Sequence, residues 1–327
     1  MAITRLRQAL SDAKDADDDR GHIVASIVPC MVLAFIALMM RLVSRRITRS
    51  RFFVSDYLAI AGLLCAWVVS LIAVVETRFG LGLHMERVSS ANIREIVFTE
   101  FIGKLFYPIG FTLIKLSITA LYRQLFPTRF MLFSTTLLAI FVTLWGIAVV
   151  LVSIFSCNPI HGFWDLDVPS KCVDSKWFFV GNAIPNILAD VFLLILPMHD
   201  VWKLQLGRGS KIAVSGIFAL GGFVTIVSGL RIHFTLAVND DVTWSYANFA
   251  LWTSVEINVA VISCCLPTVR PAIALLVPKW LDERLTGNST QRSTRQQGRN
   301  IQPPRTHRTL GSHVKITSSQ YDDFIPL

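Results

Sequence analysis

The chain predicts an all-α membrane protein, a seven-transmembrane helix bundle with its N-terminus outside and its C-terminus in the cytoplasm. Three observations carry that prediction. Seven long apolar stretches follow one another between Gly21 and about Ile273. The chain is 53% hydrophobic and only 16% charged, with a mean hydropathy of +0.55. Its basic residues also gather on alternate connections, as the positive-inside rule requires of cytoplasmic loops. A bilayer core of about 30 Å asks for roughly 20 apolar residues in helical form. A soluble fold would need polar helix faces between its buried stripes, and these stretches lack them.

The elements follow in order. Residues 1–20 form a short acidic N-terminus, with Ser11 to Arg20 reading SDAKDADDDR, and are expected to lie outside. The first apolar run is too long for the core of a cleavable signal, so it is expected to stay and direct its own insertion. The first stretch (Gly21 to Met40), the second (Tyr57 to Val75) and the fourth (Phe130 to Phe155) contain no Asp, Glu, Lys or Arg. The third (Val97 to Tyr122), fifth (Trp177 to Met198), sixth (Ile212 to Leu236) and seventh (Trp244 to Ile273) are as long but carry ionisable residues. Hydrocarbon penalises those groups, so they are where function is sought. The membrane domain is thus residues 21–276. After Pro278 the composition turns to Ser, Thr, Arg, Gln, Asn and Gly, and residues 277–327 are expected to be a disordered basic cytoplasmic tail. Its Arg292, Arg295, Arg299, Arg305 and Arg308 suit anionic membrane lipid, worth on the order of 1 kcal/mol for each that reaches the surface. A solvated tail with phosphorylatable serines is the alternative.

The net charge of +9 fixes the orientation through its distribution. Arg41, Arg45, Arg46, Arg49 and Arg51 lie between the first two stretches, with Asp56 the lone acid. The third connection (Arg123, Arg129) and the fifth (Lys203, Arg208, Lys211) are also basic. The second mixes Glu76, Arg78, Glu86, Arg87, Arg94 and Glu95, and the sixth has only Asp240 and Asp241. Nucleic acid is not the expected partner of these bases, because helix-linking loops and a tail give no soluble fold to present them. Of six cysteines, only Cys157 and Cys172 lie in an aqueous loop, on the outer side. An oxidising compartment permits a disulfide there, with two free thiols as the alternative. A zinc site needs two more ligands, and His161 is the one evident neighbour.

A polar set inside the membrane is the candidate site: Lys104, Lys115, Asp190, Arg231 and Glu256, with Asn186 and Asn258. Lys104 and Lys115 are eleven residues apart, about three helical turns, and share a face. Glu100, four residues before Lys104, can satisfy it within its own helix. Lys115 has no such local partner, so Asp190 or Glu256 is expected to supply the counter-charge. The set reads equally as a ligand cavity, a proton relay, a switch, or an interhelical clamp that fixes register alone. Pro108, Pro185, Pro197 and Pro267 add expected helix breaks. Catalytic and metal motifs are missing: there is no H-E-x-x-H, no G-x-S-x-G and no Walker loop, and no cofactor is expected. Gly80, Gly82 and His84 form a Gly-Leu-Gly-Leu-His element, read as a tight turn at the membrane surface.

With these residues in view the chain resembles the fungal rhodopsin-domain family of seven-helix membrane proteins, which includes receptor-like and toxin-cluster members. The resemblance spans about residues 20–275. It is carried by Ser55-Asp56-Tyr57-Leu58, the Gly80 to His84 element, Lys115-Leu116-Ser117, Leu121-Tyr122-Arg123 and Leu125-Phe126-Pro127. Cys157-Asn158-Pro159 with Trp164 and Cys172, Asp190 with Leu196-Pro197, Lys211, Gly221, Arg231, Trp252, Glu256, Cys265-Leu266-Pro267 and Arg270-Pro271 complete it. The family often has an acidic pair where this chain has Ser55-Asp56. The resemblance implies a seven-helix, receptor-like membrane protein, and for most members of the family no ligand or reaction is established. The polar set and the basic inner loops add the expectation of a plasma-membrane protein with an intramembrane small-molecule ligand and a cytoplasmic signalling partner. A transporter or a membrane-embedded tailoring enzyme of secondary metabolism, using Asp190 or Glu256 as a general acid, is the rival. Retinal is not expected, because its Schiff base needs a lysine and Trp244 to Pro278 holds none.

Overall fold

Long unbroken runs of Leu, Ile, Val, Phe and Ala leave the backbone one way to satisfy its polar groups in hydrocarbon, and that way is the α-helix. A computed structural model describes residues 20–47, 51–83, 88–165, 167–203, 222, 228–229 and 242–276. It holds α1 (Arg20–Ile47), α2 (Val54–Phe79), α3 (Ser90–Leu125), α4 (Arg129–Ile154), α5 (Ser175–Lys203) and α6 (Val242–Leu276). Six helices among the described residues are long and apolar enough to cross a membrane. The sixth stretch lies outside the described residues except at 222, 228 and 229, and Arg231 lies outside them with it. So do the N-terminal segment, His84 and the tail. The seventh stretch is therefore α6 here.

Every helix but α4 outruns its apolar stretch, and this corrects the charge map. α1 continues through Arg41, Arg45 and Arg46, and α2 through Glu76 and Arg78, all of which the sequence assigns to connections. α3 spans 36 residues, about 54 Å at 1.5 Å per residue, so it is longer than a bilayer core. The expected breaks at Pro108, Pro185 and Pro197 are not helix ends, since α3 and α5 run through all three. A proline in a helix interior costs one hydrogen bond, to the carbonyl four residues back, and the packed neighbours hold the rest of the helix together.

α3 is the central helix, packing on α2, α4, α5 and α6, while α1 packs on α2 and α6. The largest apolar core joins Ala34 and Leu38 of α1 with Ala59, Leu63 and Ala66 of α2, Phe111 and Ile114 of α3, and Ile257, Val261 and Cys264 of α6. A second core lies among α3, α4 and α5, around Tyr122, Met131, Leu138, Val142 and Leu193. The outer surfaces of α1 and α4 present Leu33, Ile36, Phe133, Leu137, Leu144 and Ile147. Such apolar faces suit lipid and would drive aggregation in water. Small residues set the closest approach. A Cβ on Gly146 of α4 would stand 2.2 Å from Thr112 Oγ1 of α3.

One end of the bundle carries the only strands described. Cys157–Asn158 (β1) pairs antiparallel with Lys171–Cys172 (β2), and a 3-10 turn, Ile160–Phe163, lies between them. The cysteines form the disulfide the sequence favours, with S–S 2.00 Å. At the same end Gly80 (φ 114°) closes α2 in the left-handed region, and Gly82 (φ 90°) continues the turn. A Cβ is strained at both angles, which explains the two glycines.

Candidate intramembrane polar site

Buried polar groups occur at three levels along the bundle. At the hairpin end, Glu76 of α2 is 1% exposed and accepts a hydrogen bond from the Thr99 hydroxyl at 3.1 Å. Glu100, Lys104 and Asn182 line the same cavity, which measures about 40 Å³, with Thr253 and Ser254 of α6 opposite. That is room for a few waters. Lys104 does not form the expected intrahelical pair as its main contact. Its ammonium lies 4.1 Å from the ring centre of Phe178 and 5.0 Å from that of Phe163, with Glu100 acting at longer range. A cation over desolvated aromatic faces gains on the order of 2 kcal/mol, enough to compete with a carboxylate that stays partly apart. Phe163 comes from the disulfide-bridged hairpin, and Trp164 beside it packs on Phe98 and Phe101. The hairpin thus reaches the edge of this cavity through Phe163.

At mid-depth, Lys115 of α3 meets Asp190 of α5, Nζ to Oδ1 3.0 Å, and both side chains are largely buried. Lys115 also donates to the Asn186 carbonyl at 2.6 Å. That carbonyl belongs to the helix interior. The one left without its helical donor by Pro185 is Gly181's, four residues back, so the proline does not create the contact. Lys115 and Asp190 line a second cavity of about 40 Å³ with Leu193, Leu194, Ser263 and Pro267, between α3, α5 and α6.

Glu256 serves a different partner set. It accepts from the Tyr107 hydroxyl at 2.8 Å and from the hydroxyl of Ser228, a described residue of the sixth stretch. Asn258 donates its amide to Ser70 Oγ at 2.7 Å and to the Ser254 carbonyl at 2.8 Å. The expected set thus divides. Lys115, Asp190 and the backbone of Asn186 form one unit, Glu256 binds α3 through Tyr107, Asn258 binds α2, and Lys104 belongs to the hairpin end.

At the opposite end lies a clamp that the sequence reading missed. Arg41 of α1 is fully buried, and its Nε donates to Asp56 Oδ1 of α2 at 2.9 Å while its Nη1 donates to the Cys264 carbonyl of α6 at 2.7 Å. Asp56 also accepts the Phe53 backbone N–H at 3.1 Å, and Arg45 approaches its other oxygen at 3.4 Å. Ser44 ties α1 to the Thr268 carbonyl, and Ser117 ties α3 to the Ser55 carbonyl. Four helices converge on one carboxylate and its neighbours. A signal for it exists in the sequence, since Ala34, Leu38 and Arg41 share one helical face, as do Val69, Ala73 and Glu76. Extending the buried stripe of each helix one turn past its last apolar residue identifies both charges.

Comparisons with known proteins identify the family. The fungal rhodopsin domain model matches residues 40–275. The wortmanamides biosynthesis cluster protein C of Talaromyces wortmannii is 30% identical over 72% of this chain and 66% of its own length. A SAT4 family membrane protein of Emericella nidulans is 27% identical over 61% of this chain and 52% of its own. The receptor GIN3 of Arthrobotrys oligospora is 28% identical over 58% of this chain and 46% of its own. The chain therefore spans between about half and just under two thirds of these relatives. No solved structure matches it. With six apolar helices, a bridged hairpin and a domain match covering most of its length, the chain belongs to the fungal rhodopsin domain family of multi-pass membrane proteins.

Proposed function

We propose that this protein is a seven-helix, receptor-like protein of the plasma membrane, with its hairpin end outside and its C-terminus cytoplasmic. The observation that carries the reading is the Lys115–Asp190 pair, which lines a small cavity between α3, α5 and α6 in the middle of the membrane. Parting this pair leaves two buried charges exposed to a ligand's polar groups, so a ligand that satisfies them shifts the population toward the parted arrangement. The cavity holds only a few waters, so this is the closed arrangement, and a small-molecule ligand is expected to part α5 from α3. The Arg41–Asp56 clamp at the other end gives the shift a readout for a cytoplasmic signalling partner, beside the basic residues Arg45, Arg46, Arg123 and Arg129. The disulfide supports the orientation, because an outer or lumenal compartment is where such a bridge persists. The seventh helix rests on the sixth apolar stretch of the sequence.

The printed names of several relatives favour a second reading. Proteins named for wortmanamide, polyenoic acid and satratoxin biosynthesis clusters are 28–30% identical to this chain. A tailoring enzyme or a transporter of secondary metabolism would use the same cavity, with Asp190 as its acid. A thermal-shift screen of small molecules on the purified chain separates the readings. The receptor reading expects a compound that raises the melting temperature, is recovered unchanged, and loses its effect in Lys115→Met. Chemical conversion of the compound, or its movement across sealed vesicles, refutes it.

A further inference from the structure

The cavity at the hairpin end brings two carboxyl groups together with one ammonium. Glu76 and Glu100, from adjacent helices, both line this cavity. Lys104 is the one cation among the described lining residues, and it leans onto the rings of Phe178 and Phe163. With both carboxylates ionised, two negative charges face one ammonium, and burial makes the excess of one costly unless an ion or a proton balances it. Facing them, Thr253 and Ser254 of α6 are 8% and 1% exposed, line the same cavity, and have hydroxyl oxygens without hydrogen-bond partners. The Tyr246 hydroxyl in the same lining is likewise without a hydrogen-bond partner. Buried hydroxyls normally find a partner, and three orphans in one cavity point to an occupant.

We propose that this cavity binds a small hard monovalent cation of the sodium type, held by the Glu76 and Glu100 carboxylates and the Thr253 and Ser254 hydroxyls. The donors are all oxygen, which suits a hard ion. The space, about 40 Å³, accepts one such ion with a water or two and excludes an organic ammonium. A single positive charge balances the site while Lys104 stays charged, whereas a divalent ion would leave an excess of the opposite sign. The ion would join α2 and α3 to α6 beneath the hairpin. The site differs from the Lys115–Asp190 cavity, and the proposal holds whether or not the chain is a receptor.

The test uses the full chain purified in detergent at pH 8. Melting is followed while sodium chloride replaces N-methyl-D-glucamine chloride at constant ionic strength. A saturable rise in melting temperature is expected with sodium. The half-saturating concentration should rise by about tenfold or more in Thr253→Ala/Ser254→Ala, since each lost donor weakens the site, and the dependence should vanish in Glu100→Gln. Should Glu100→Gln not fold, the hydroxyl variant decides the assignment. The proposal is overturned by identical melting in the two salts, by a sodium effect that persists unchanged in the hydroxyl variant, or by stabilisation with micromolar calcium but not sodium. Melting that moves with pH but not with sodium also overturns it, because a proton then balances the pair.

Discussion

Asp56→Asn is the change the bundle should tolerate least for its size. The carboxylate is 1% exposed and faces the fully buried Arg41 guanidinium at 2.9 Å. The amide keeps the shape and one acceptor oxygen but removes the charge, so Arg41 is left in a low-dielectric site with only neutral acceptors, that oxygen and the Cys264 carbonyl, among its described contacts to Asp56 and α6. Removing one partner of a buried pair costs about 3–5 kcal/mol in soluble proteins, on the order of a hundred-fold or more in the unfolding equilibrium. Arg45→Ala touches the same carboxylate, yet Arg45 is 15% exposed and 3.4 Å away, and such a pair is worth about 0–1 kcal/mol. Equilibrium unfolding in mixed micelles, read by thiol labelling of the buried Cys264 and Cys265, reports both. Arg41→Met/Asp56→Leu should recover most of the loss, because apolar groups of similar volume need no counter-charge. If Asp56→Asn unfolds no more easily than Arg45→Ala, the clamp does not hold the helices and the reasoning fails.

Cys157→Ser and Cys172→Ser should each lose stability equally, about 3 kcal/mol for a loop of 15 residues, and the double variant should lose little more. Full labelling of both thiols in the unreduced folded protein would refute the bridge. Gly146→Ala should cost about 1–3 kcal/mol by pushing α4 away from Thr112, and Thr112→Ala should restore part of it. An unchanged melting temperature in Gly146→Ala would show that the two helices have slack. Asn288-Ser289-Thr290, the lone N-glycosylation sequon, lies in the tail that the proposed orientation makes cytoplasmic, and it should carry no glycan. A glycosidase-sensitive mass shift absent from Asn288→Gln would invert the orientation.

Length and apolar content made the helices legible, because a spanning helix is a local property of about 20 residues. Their ends were less so. Arg41 and Glu76 look like loop charges to a hydropathy count, but each sits on the buried face of a helix that continues past its apolar run. Charge at a helix end snorkels or pairs, and which one happens depends on a neighbour distant in sequence: Asp56 for Arg41 and Thr99 for Glu76. Lys115 was legible as a buried cation for the opposite reason, since no residue near it in sequence could balance it. Its partner was not legible. Asp190 and Glu256 are equally acidic, and only the packing of α5 on α3 and of Tyr107 on α6 separates their roles. The aromatic setting of Lys104 depends on Phe163, which a loop delivers from 59 positions away. Arg231 stays an expectation, since it lies outside the described residues.

The Lys115–Asp190 pair bears the most weight, and a double-mutant cycle measures it directly. Lys115→Met should destabilise strongly, by about 3–5 kcal/mol if soluble magnitudes carry over. Adding Asp190→Asn should recover a large part of that loss, while adding Glu256→Gln should recover none, because Glu256 is held by Tyr107 and Ser228. A receptor also predicts that the rescued Lys115→Met/Asp190→Asn protein is folded and unresponsive to ligand. Rescue by Glu256→Gln instead, or a Lys115→Met protein that melts like the parent, would contradict the pairing and remove the basis for the mid-membrane cavity.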